Sequence, residues 1–238
     1  MDEGLGALQL PLEERIGAPY LMVARQKEFA SYHRWIEGIP RKASKSLALL
    51  GRKKCGKTAF VQRLFNQVWS AGNGVIPFYM EITEKKMHLA DLAVQYYCTF
   101  VSHYISYLER DPGLVARTLN LQEIREYGQK NDIYDMVKDP GDLENFSKNE
   151  AYDSMWMLAV YAPHRYAVLY KRPVLVIIDE FQNLNGFVYT DKQKTLLDQS
   201  IPGSYHEVSE SKVAPMLATG SAVGWLTNVI DQFLAGGR

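Results

Sequence analysis

The sequence predicts an α/β fold with a mainly parallel sheet, on three observations. A short apolar run at 47–50 leads into a glycine-rich loop and then a helical pattern. A second apolar run, at 174–178, ends in two carboxylates, which is typical of a buried parallel strand. Between them lies a stretch at 83–172 whose apolar residues recur at helical spacing. A chain of 238 residues is long enough for one such domain, so we predict a single domain over 1–238.

Composition restricts the function classes. The chain is 47% apolar and 23% charged with zero net charge, as expected of a soluble globular protein. Bulk charge therefore predicts neither nucleic-acid nor membrane binding, although it leaves room for a local basic patch. Having only two cysteines, Cys55 and Cys98, argues against a disulfide framework and for a reducing compartment. The N-terminus lacks the features of a signal peptide and no apolar run has membrane length, so we predict a cytoplasmic protein.

The first two strands are predicted on either side of the glycine-rich loop. Residues 1–18 should form a loosely ordered N-terminal segment. We expect the first strand, at 46–50, to be buried because it is short and continuously apolar. The helix after the loop should reach about Trp69, and the second strand spans 75–82. Pro77 lies within that strand and cannot donate to a ladder, which predicts an edge position.

The stretch 83–172 is predicted to be a helical crossover between the second and third strands. Helices are expected at 89–108, 114–127 and 149–161, with a loop at 138–142. The aromatic stripe on these helices indicates core packing, with a partner surface as the alternative.

The last part of the chain should supply the fourth strand. After the third strand we predict a helix rich in Lys192, Lys194 and Asp198, followed by a polar loop at 202–212. The fourth strand is placed at 213–219, and a further helix is expected after it.

The glycine-rich loop at 51–58 reads G-R-K-K-C-G-K-T and fits the pattern G-x-x-x-x-G-K-[ST] in a strand–loop–helix setting. Its glycines let successive N–H groups turn towards a polyphosphate, and the following helix directs its positive end at the same anion. Lys57 can then reach the outer phosphates, and Thr58 can ligate the magnesium they carry. The alternative is a turn with solvated lysines. We therefore predict a nucleotide phosphate site made of Gly51, Arg52, Lys53, Lys54, Cys55, Gly56, Lys57, Thr58 and Ala59.

The two carboxylates of the third strand, Asp179 and Glu180, are predicted to lie at its carboxyl end. Ligands bind at that edge of open α/β sheets. Asp179 can hold the magnesium shell, and Glu180 can orient and deprotonate the attacking water. Without the glycine loop, an acidic turn would explain the pair equally well.

Thr219 ends the fourth strand and Ser221 follows it, and both carry small hydroxyl groups. These hydroxyls could contact the outer phosphate or the water, or they could cap the next helix. The sequence favours neither role.

These motifs together resemble the archaeal-type ATPase domain, a family related to the STAND signalling NTPases and to AAA+ ATPases of the origin-recognition type. The resemblance covers residues 19–235 and includes an N-terminal box at 20–29, for which the family pattern is F-V-G-R-E-x-E-L. The box lies against the nucleotide base in that family, which implies a nucleotide contact for Arg25. The residues that match are Val23, Arg25, Glu28 and Phe29, and those that depart are Ala24 and Gln26.

The resemblance also implies a P-loop NTPase three-layer sandwich with sheet order 2-3-4-1. In that order the strand of Thr219 lies between those of Leu49 and Ile178. The family's helical lid, phosphate-sensing arginine and effector region are not recognisable, and neither Arg52 nor Arg63 is placed to reach the outer phosphate. We therefore expect a protein partner or self-association to complete the site.

The sequence thus predicts an ATPase that needs Mg²⁺, binds ATP and ADP, turns over slowly and acts as a conformational switch, with Lys57 and Glu180 as its catalytic residues. One alternative is a nucleotide-binding regulatory or scaffold module without significant turnover, which has no need of Glu180. Another is a DNA-associated, initiator-like ATPase, which would contact nucleic acid only through regions outside these residues. The choice between ATP and GTP stays open.

Overall fold

The computed structural model describes residues 8–16, 22 and 25–221. Its strands are β1 (Leu47–Leu50), β2 (Ile76–Glu81), β3 (Met87–His88), β4 (Val174–Asp179), β5 (Val188–Tyr189) and β6 (Met216–Gly220). Its helices are α1 (Gln26–Glu37), α2 (Lys57–Ala71), α3 (Leu89–Glu109), α4 (Gly113–Ala116), α5 (Leu121–Lys130), α6 (Tyr134–Lys148), α7 (Tyr152–Leu169), α8 (Leu184–Phe187) and α9 (Tyr205–Ser209). Within this described part of the chain, no helix has both the length and the apolar character needed to cross a membrane.

Four parallel strands form the main sheet, in the order β1-β6-β4-β2. Ala218 of β6 is in register with Ala48 on one side and with Ile178 on the other, so the strand that carries Thr219 is central. The structure differs from the four-strand prediction by a second sheet, in which β3 and β5 pair in parallel. All four carboxyl ends of the main sheet meet at one edge, where a ligand can approach.

The two outer strands of the main sheet test two predictions, the edge position of β2 and the burial of β1, and only the first is confirmed. β2 pairs only with β4 in the described residues, which confirms the edge position indicated by Pro77. β1 pairs only with β6 there, and Leu47 is 39% exposed, so the prediction that β1 is buried is wrong. An apolar run of four residues does not distinguish a central strand from an edge strand that is partly covered by helices.

Helix α2 follows the glycine-rich loop and packs against the sheet. It begins after Gly56 and ends before Gly72, and both glycines have left-handed backbone angles. Its apolar face buries side chains that include Phe60, Leu64 and Val68. Because α2 is packed along its length, the loop at its N-terminus is held against a rigid element.

The helices between β2 and β4 build a second layer on the sheet. Helix α3 confirms the predicted helix at 89–108, and its aromatic stripe is buried. Tyr96 contacts Trp156 of α7, with ring centroids 5.5 Å apart, and Phe100 contacts Tyr166 of the same helix at 5.2 Å. The stripe is therefore core packing in this part of the chain.

Three predictions in the crossover are corrected. The helix at 114–127 is two helices, because Asn120 and Glu123 form a capping box that starts α5 anew. The loop at 138–142 is helical, since Pro140 lies inside α6 on a buried face. The helix at 149–161 extends past Pro163 as far as the end of α7. Tertiary burial has outweighed the low helix propensity of proline in both places.

The segment after β4 also differs from the prediction. No helix carries Lys192, Lys194 and Asp198 in the structure, and these residues lie in an irregular loop. The Asp191 carboxylate accepts hydrogen bonds from the N–H groups of Thr195 and Leu196, so it stabilises a turn instead of a helix. The polar loop at 202–212 contains the short helix α9. The helix predicted after Ser221 lies outside the described residues.

The N-terminal segment is irregular, but its described part is tied to α2. Residues 8–16 run along that helix, and the Glu14 carboxylate forms a buried ion pair with Arg63 at 2.6 Å. The expectation of a loosely ordered segment is therefore corrected for these residues. A segment without periodicity gave no sign that it would be fixed by side chains far along the chain.

Candidate functional site

The loop between β1 and α2 has the backbone of an anion-binding turn. Gly56 has φ +82°, a left-handed value that glycine adopts without the steric cost paid by other residues, and Lys54 has φ +66°. No described side chain caps the N-terminus of α2, which is 15 residues long. The first N–H groups of the helix have no acceptor within it, so they favour an anion at this end.

Lys57, the first residue of α2, is folded over the loop. Its Nζ donates to the backbone oxygens of Gly51 at 2.8 Å and Arg52 at 3.1 Å, and the residue is 5% exposed. A Cβ added at Gly51 would lie 3.0 Å from the Cys55 sulfur, so the loop closes tightly at its first glycine. The ammonium group is thus positioned by the loop itself.

Residues 52–56 of the loop are exposed, and both lysines among them face the site. Lys53 and Lys54 line the cleft described below, and Lys53 pairs with Glu84 at 3.2 Å. Arg25, which precedes α1, donates from Nη2 to the Cys55 carbonyl at 2.5 Å. Its guanidinium also lies 5.9 Å from the ring centroid of Phe60. Arg25 therefore contacts the loop backbone, while positions 20, 21, 23 and 24 of the box at 20–29 lie outside the described residues.

A cleft of about 720 Å³ opens beside the loop, within the range of roughly 300–1,000 Å³ that small-molecule ligand sites occupy. Of the predicted loop residues, it brings Lys53, Lys54 and residues 56–59 together with Glu180, which directly follows β4. Its lining is formed by Arg15, Ile16, Lys53, Lys54, Gly56, Lys57, Thr58, Ala59, Glu81, Thr83, Glu84, Glu180 and Asn183. The loop residues Gly51, Arg52 and Cys55 are not part of this lining.

Asp179 lies behind this surface and is fully buried. One carboxylate oxygen accepts a hydrogen bond from the Thr219 hydroxyl, and the other accepts from the Tyr79 hydroxyl at 3.2 Å. Burial, and then the charge of Asp179, raise the pKa of the Tyr79 hydroxyl far above its usual range, so Tyr79 remains a donor. The carboxylate is thus held by two neutral hydroxyls from the flanking strands.

Glu180 adopts a left-handed backbone, with φ +55°, directly after β4. Such strained positions cluster at functional sites. Its N–H donates to the Thr219 hydroxyl oxygen at 3.1 Å. Its carboxylate accepts from the Gln182 amide and from the Ser221 hydroxyl, the latter at 3.1 Å. The structure therefore brings Thr219 and Ser221 to the two carboxylates of β4.

Sequence reasoning missed a further part of the cleft lining, which includes Arg15, Glu81 and Asn183. Arg15 Nη2 contacts both carboxylate oxygens of Glu81, at 2.6 and 2.5 Å. Glu81 ends β2, so its place at the carboxyl edge of the sheet could have indicated it. Arg15 lies in an irregular segment and carried no sequence signal.

The donor set of the cleft fits a nucleotide phosphate and its metal ion. Lys57 and the open N-terminus of α2 offer positive charge and N–H donors, and Thr58 offers a hydroxyl on the same surface. Within residues 8–16, 22 and 25–221, no three His, Cys, Asp or Glu side chains are grouped to hold a metal ion by themselves.

Comparisons with known proteins return one distant structural match. No family model matches the chain, and no curated protein matches it. Among solved structures, the Walker-type ATPase PABY2304 of Pyrococcus abyssi is similar over 97% of this chain, at 16% identity and a TM-score of 0.48. The chain spans 55% of the length of that solved structure. A similarity at this level assigns no family.

Proposed function

We propose that the chain is a magnesium-dependent P-loop ATPase that binds ATP, hydrolyses it slowly and acts as a conformational switch. The observation that carries this proposal is that one cleft is lined by the glycine loop, by Lys57 at the N-terminus of α2, and by Glu180. A glycine loop by itself fits any phosphate ligand. The acidic Glu180 in the same cleft supports a reaction at that phosphate.

Phosphate binding is assigned to the loop backbone and the first turn of α2. Their N–H groups and the helix dipole favour a polyanion at this end. Lys57 would exchange its two carbonyl partners for phosphate oxygens, a charge-assisted contact that is stronger than the one it replaces. Arg25 supports this role by holding the Cys55 carbonyl, which keeps the loop in shape.

Magnesium is assigned to Thr58 together with the phosphate oxygens. When it is bound, the ion neutralises charge that develops on the phosphates. Asp179 has both oxygens engaged by the hydroxyls of Thr219 and Tyr79. We therefore assign Asp179 to orienting these groups and the hydration shell of the ion.

Glu180 is assigned as the general base. It would accept a proton from the attacking water while the water oxygen bonds to the outer phosphorus and the bond to the bridging oxygen breaks. Gln182 and Ser221 hold the Glu180 carboxylate at the carboxyl end of β4, which supports a fixed orientation of the base. An oriented base needs less rearrangement when the water arrives.

We further propose membership of the archaeal-type ATPase family, with its three-layer sandwich. The support is the motif set in the sequence: the glycine loop, the D-E-F-Q strand end, the T-G-S strand end and the matching residues of the N-terminal box. The central position of β6 agrees with the strand order that this family implies.

A nucleotide-binding module without turnover is the second candidate. The observation that favours it is that the Glu180 carboxylate already accepts hydrogen bonds from Gln182 and Ser221. These two donors occupy some of the carboxylate lone pairs with which a general base accepts the proton of its water.

The two candidates are separated by Glu180→Gln. If Glu180 is the base, the variant should bind ATP within about threefold of wild type and lose at least a hundredfold in phosphate release, the scale of general-base catalysis. Glu84→Gln is the matched control, because Glu84 lines the same cleft but pairs with the exposed Lys53. Wild-type turnover in Glu180→Gln would contradict the base assignment. ATP binding without phosphate release by the wild type would favour the second candidate.

A further inference from the structure

The described N-terminal segment is fixed on α2 by a regular set of hydrogen bonds. The side chains of Gln62, Asn66 and Ser70 are four residues apart and form a polar stripe along the helix. They accept, in turn, from the backbone N–H groups of Arg15 at 2.8 Å, Leu12 at 3.0 Å and Gln9 at 3.0 Å. The backbone of Arg15 is therefore held at the end of α2 that carries the glycine loop.

The buried ion pair beside Arg15 strengthens this attachment. Glu14 accepts from Arg63 and, at 2.9 Å, from the Asn66 amide, and its side chain is 2% exposed. Two consecutive residues thus have different surroundings. Glu14 is locked into the protein, while the Arg15 side chain is 57% exposed and faces the cleft.

Arg15 lines the same cleft as the loop and is held there by an acidic side chain. Its guanidinium contacts both oxygens of Glu81, and Glu81 is paired in register with Asp179 on the neighbouring strand. Partial burial lowers the pKa of Arg15, but the hydrogen bond and charge of Glu81 outweigh this effect and raise it above its usual value. The arginine is therefore charged beside Glu81.

Glu81 is an unfavourable neighbour for a polyphosphate unless a cation compensates it. The cleft is lined by four basic residues (Arg15, Lys53, Lys54 and Lys57) and three acidic ones (Glu81, Glu84 and Glu180). The Glu81 side chain is 23% exposed, so water can solvate it when Arg15 leaves. Phosphate oxygens offer the guanidinium the same two-point contact that the carboxylate offers.

We propose that Arg15 is the arginine that contacts the outer phosphate, held by Glu81 before nucleotide binds and transferred to the phosphate afterwards. This inference rests on the proposed function and adds a residue to it. It places within one chain the positive charge that the sequence had assigned to a lid or a partner. An arginine in that role compensates charge that develops on the transferred phosphoryl group.

The test compares Arg15→Ala and Glu81→Gln in the full chain, with Arg117→Ala as the control. Arg117 pairs with Glu123 outside the cleft, at an exposure close to that of the Arg15–Glu81 pair. Binding of fluorescent ATP and ADP analogues with magnesium is measured by titration. Arg15→Ala should weaken binding of the ATP analogue at least tenfold and binding of the ADP analogue less than threefold. Glu81→Gln should increase the affinity for the ATP analogue severalfold, and Arg117→Ala should leave the affinities for both analogues unchanged.

The opposite signs of the two variants decide the proposal. If Arg15→Ala and Glu81→Gln weaken both nucleotides equally, the pair is structural and the proposal is wrong. It is also wrong if the wild type binds ATP and Arg15→Ala binds it equally well, a result that leaves the proposed function intact. A wild-type protein that binds neither analogue overturns the proposed function and this inference together.

Three further measurements keep the test decisive. Urea unfolding checks that each variant is folded, and Arg15→Lys, which keeps the charge but not the fork, should fall between wild type and Arg15→Ala in ATP affinity. Turnover per chain should also stay flat from nanomolar to micromolar protein, because the arginine is supplied in cis. A rise with concentration that persists in Arg15→Ala would assign the arginine to a partner and overturn the proposal.

Discussion

Gly56→Ala tests whether the left-handed turn before α2 serves the ligand and not only the fold. Gly56 has φ +82°, and a left-handed backbone costs a residue with a Cβ about 1–2 kcal/mol. The nearest atom to an added Cβ would be Arg25 Nη2 at 3.6 Å, an ordinary contact, so no clash adds to that cost. We therefore expect the free energy of unfolding to fall by about 1–2 kcal/mol.

Gly74→Ala is the matched control for this backbone cost. Gly74 has φ +87°, and an added Cβ would meet nothing within 4 Å, so its loss of stability should be similar. Gly56→Ala should in addition weaken ATP binding at least tenfold, because relaxing the turn moves the N–H groups that face the phosphates. Gly74→Ala should leave binding unchanged. Equal ATP affinities for the two variants, measured beside urea unfolding, would refute the reasoning.

Two further predictions concern buried carboxyl groups. Glu14→Gln breaks a buried ion pair with Arg63 and should lower the free energy of unfolding in urea by about 3 kcal/mol; a loss below about 1 kcal/mol would contradict the anchoring role. Burial raises the pKa of Asp139 from 3.8 to about 6, although the charge of Arg165 opposes the shift. The folded protein therefore binds the Asp139 proton more tightly than the unfolded chain does. The stabilisation that this gives is present at low pH and is lost as the pH rises through 6. Wild-type stability relative to Asp139→Asn, measured by urea unfolding, should therefore fall by up to about 3 kcal/mol from pH 3 to pH 7, and a difference that stays constant with pH would contradict this reasoning.

The parts of the site that could be predicted from the sequence are those encoded locally. The spacing of Gly51, Gly56 and Lys57 specifies a loop at a helix N-terminus, and the structure has that loop. The apolar run before Asp179 and Glu180 likewise specifies a strand that ends in two carboxylates. In both cases the chain neighbours alone determine the geometry.

The parts that could not be predicted depend on contacts between distant residues. Arg15 is placed by Gln62 and paired with Glu81, and nothing around position 15 carries that information. Pro140 indicates a loop by its own propensity, but burial of its face keeps α6 continuous. The Asp191 turn replaced a predicted helix because one carboxylate satisfies two backbone N–H groups. Local patterns do not report such tertiary contacts.

The measurement that tests the central claim most directly is magnesium-dependent ATP binding by the wild type, Lys57→Ala and Lys53→Ala. Lys57 is buried over the loop, whereas Lys53 lies on the same loop, is exposed and pairs with Glu84. Because Lys57→Ala loses one charge-assisted contact, its ATP binding should weaken by more than about 1.4 kcal/mol, which is tenfold in affinity. Lys53→Ala should weaken ATP binding less than threefold. Lys57→Ala binding within threefold of wild type, or equal losses in the two variants, would contradict a phosphate site in this loop.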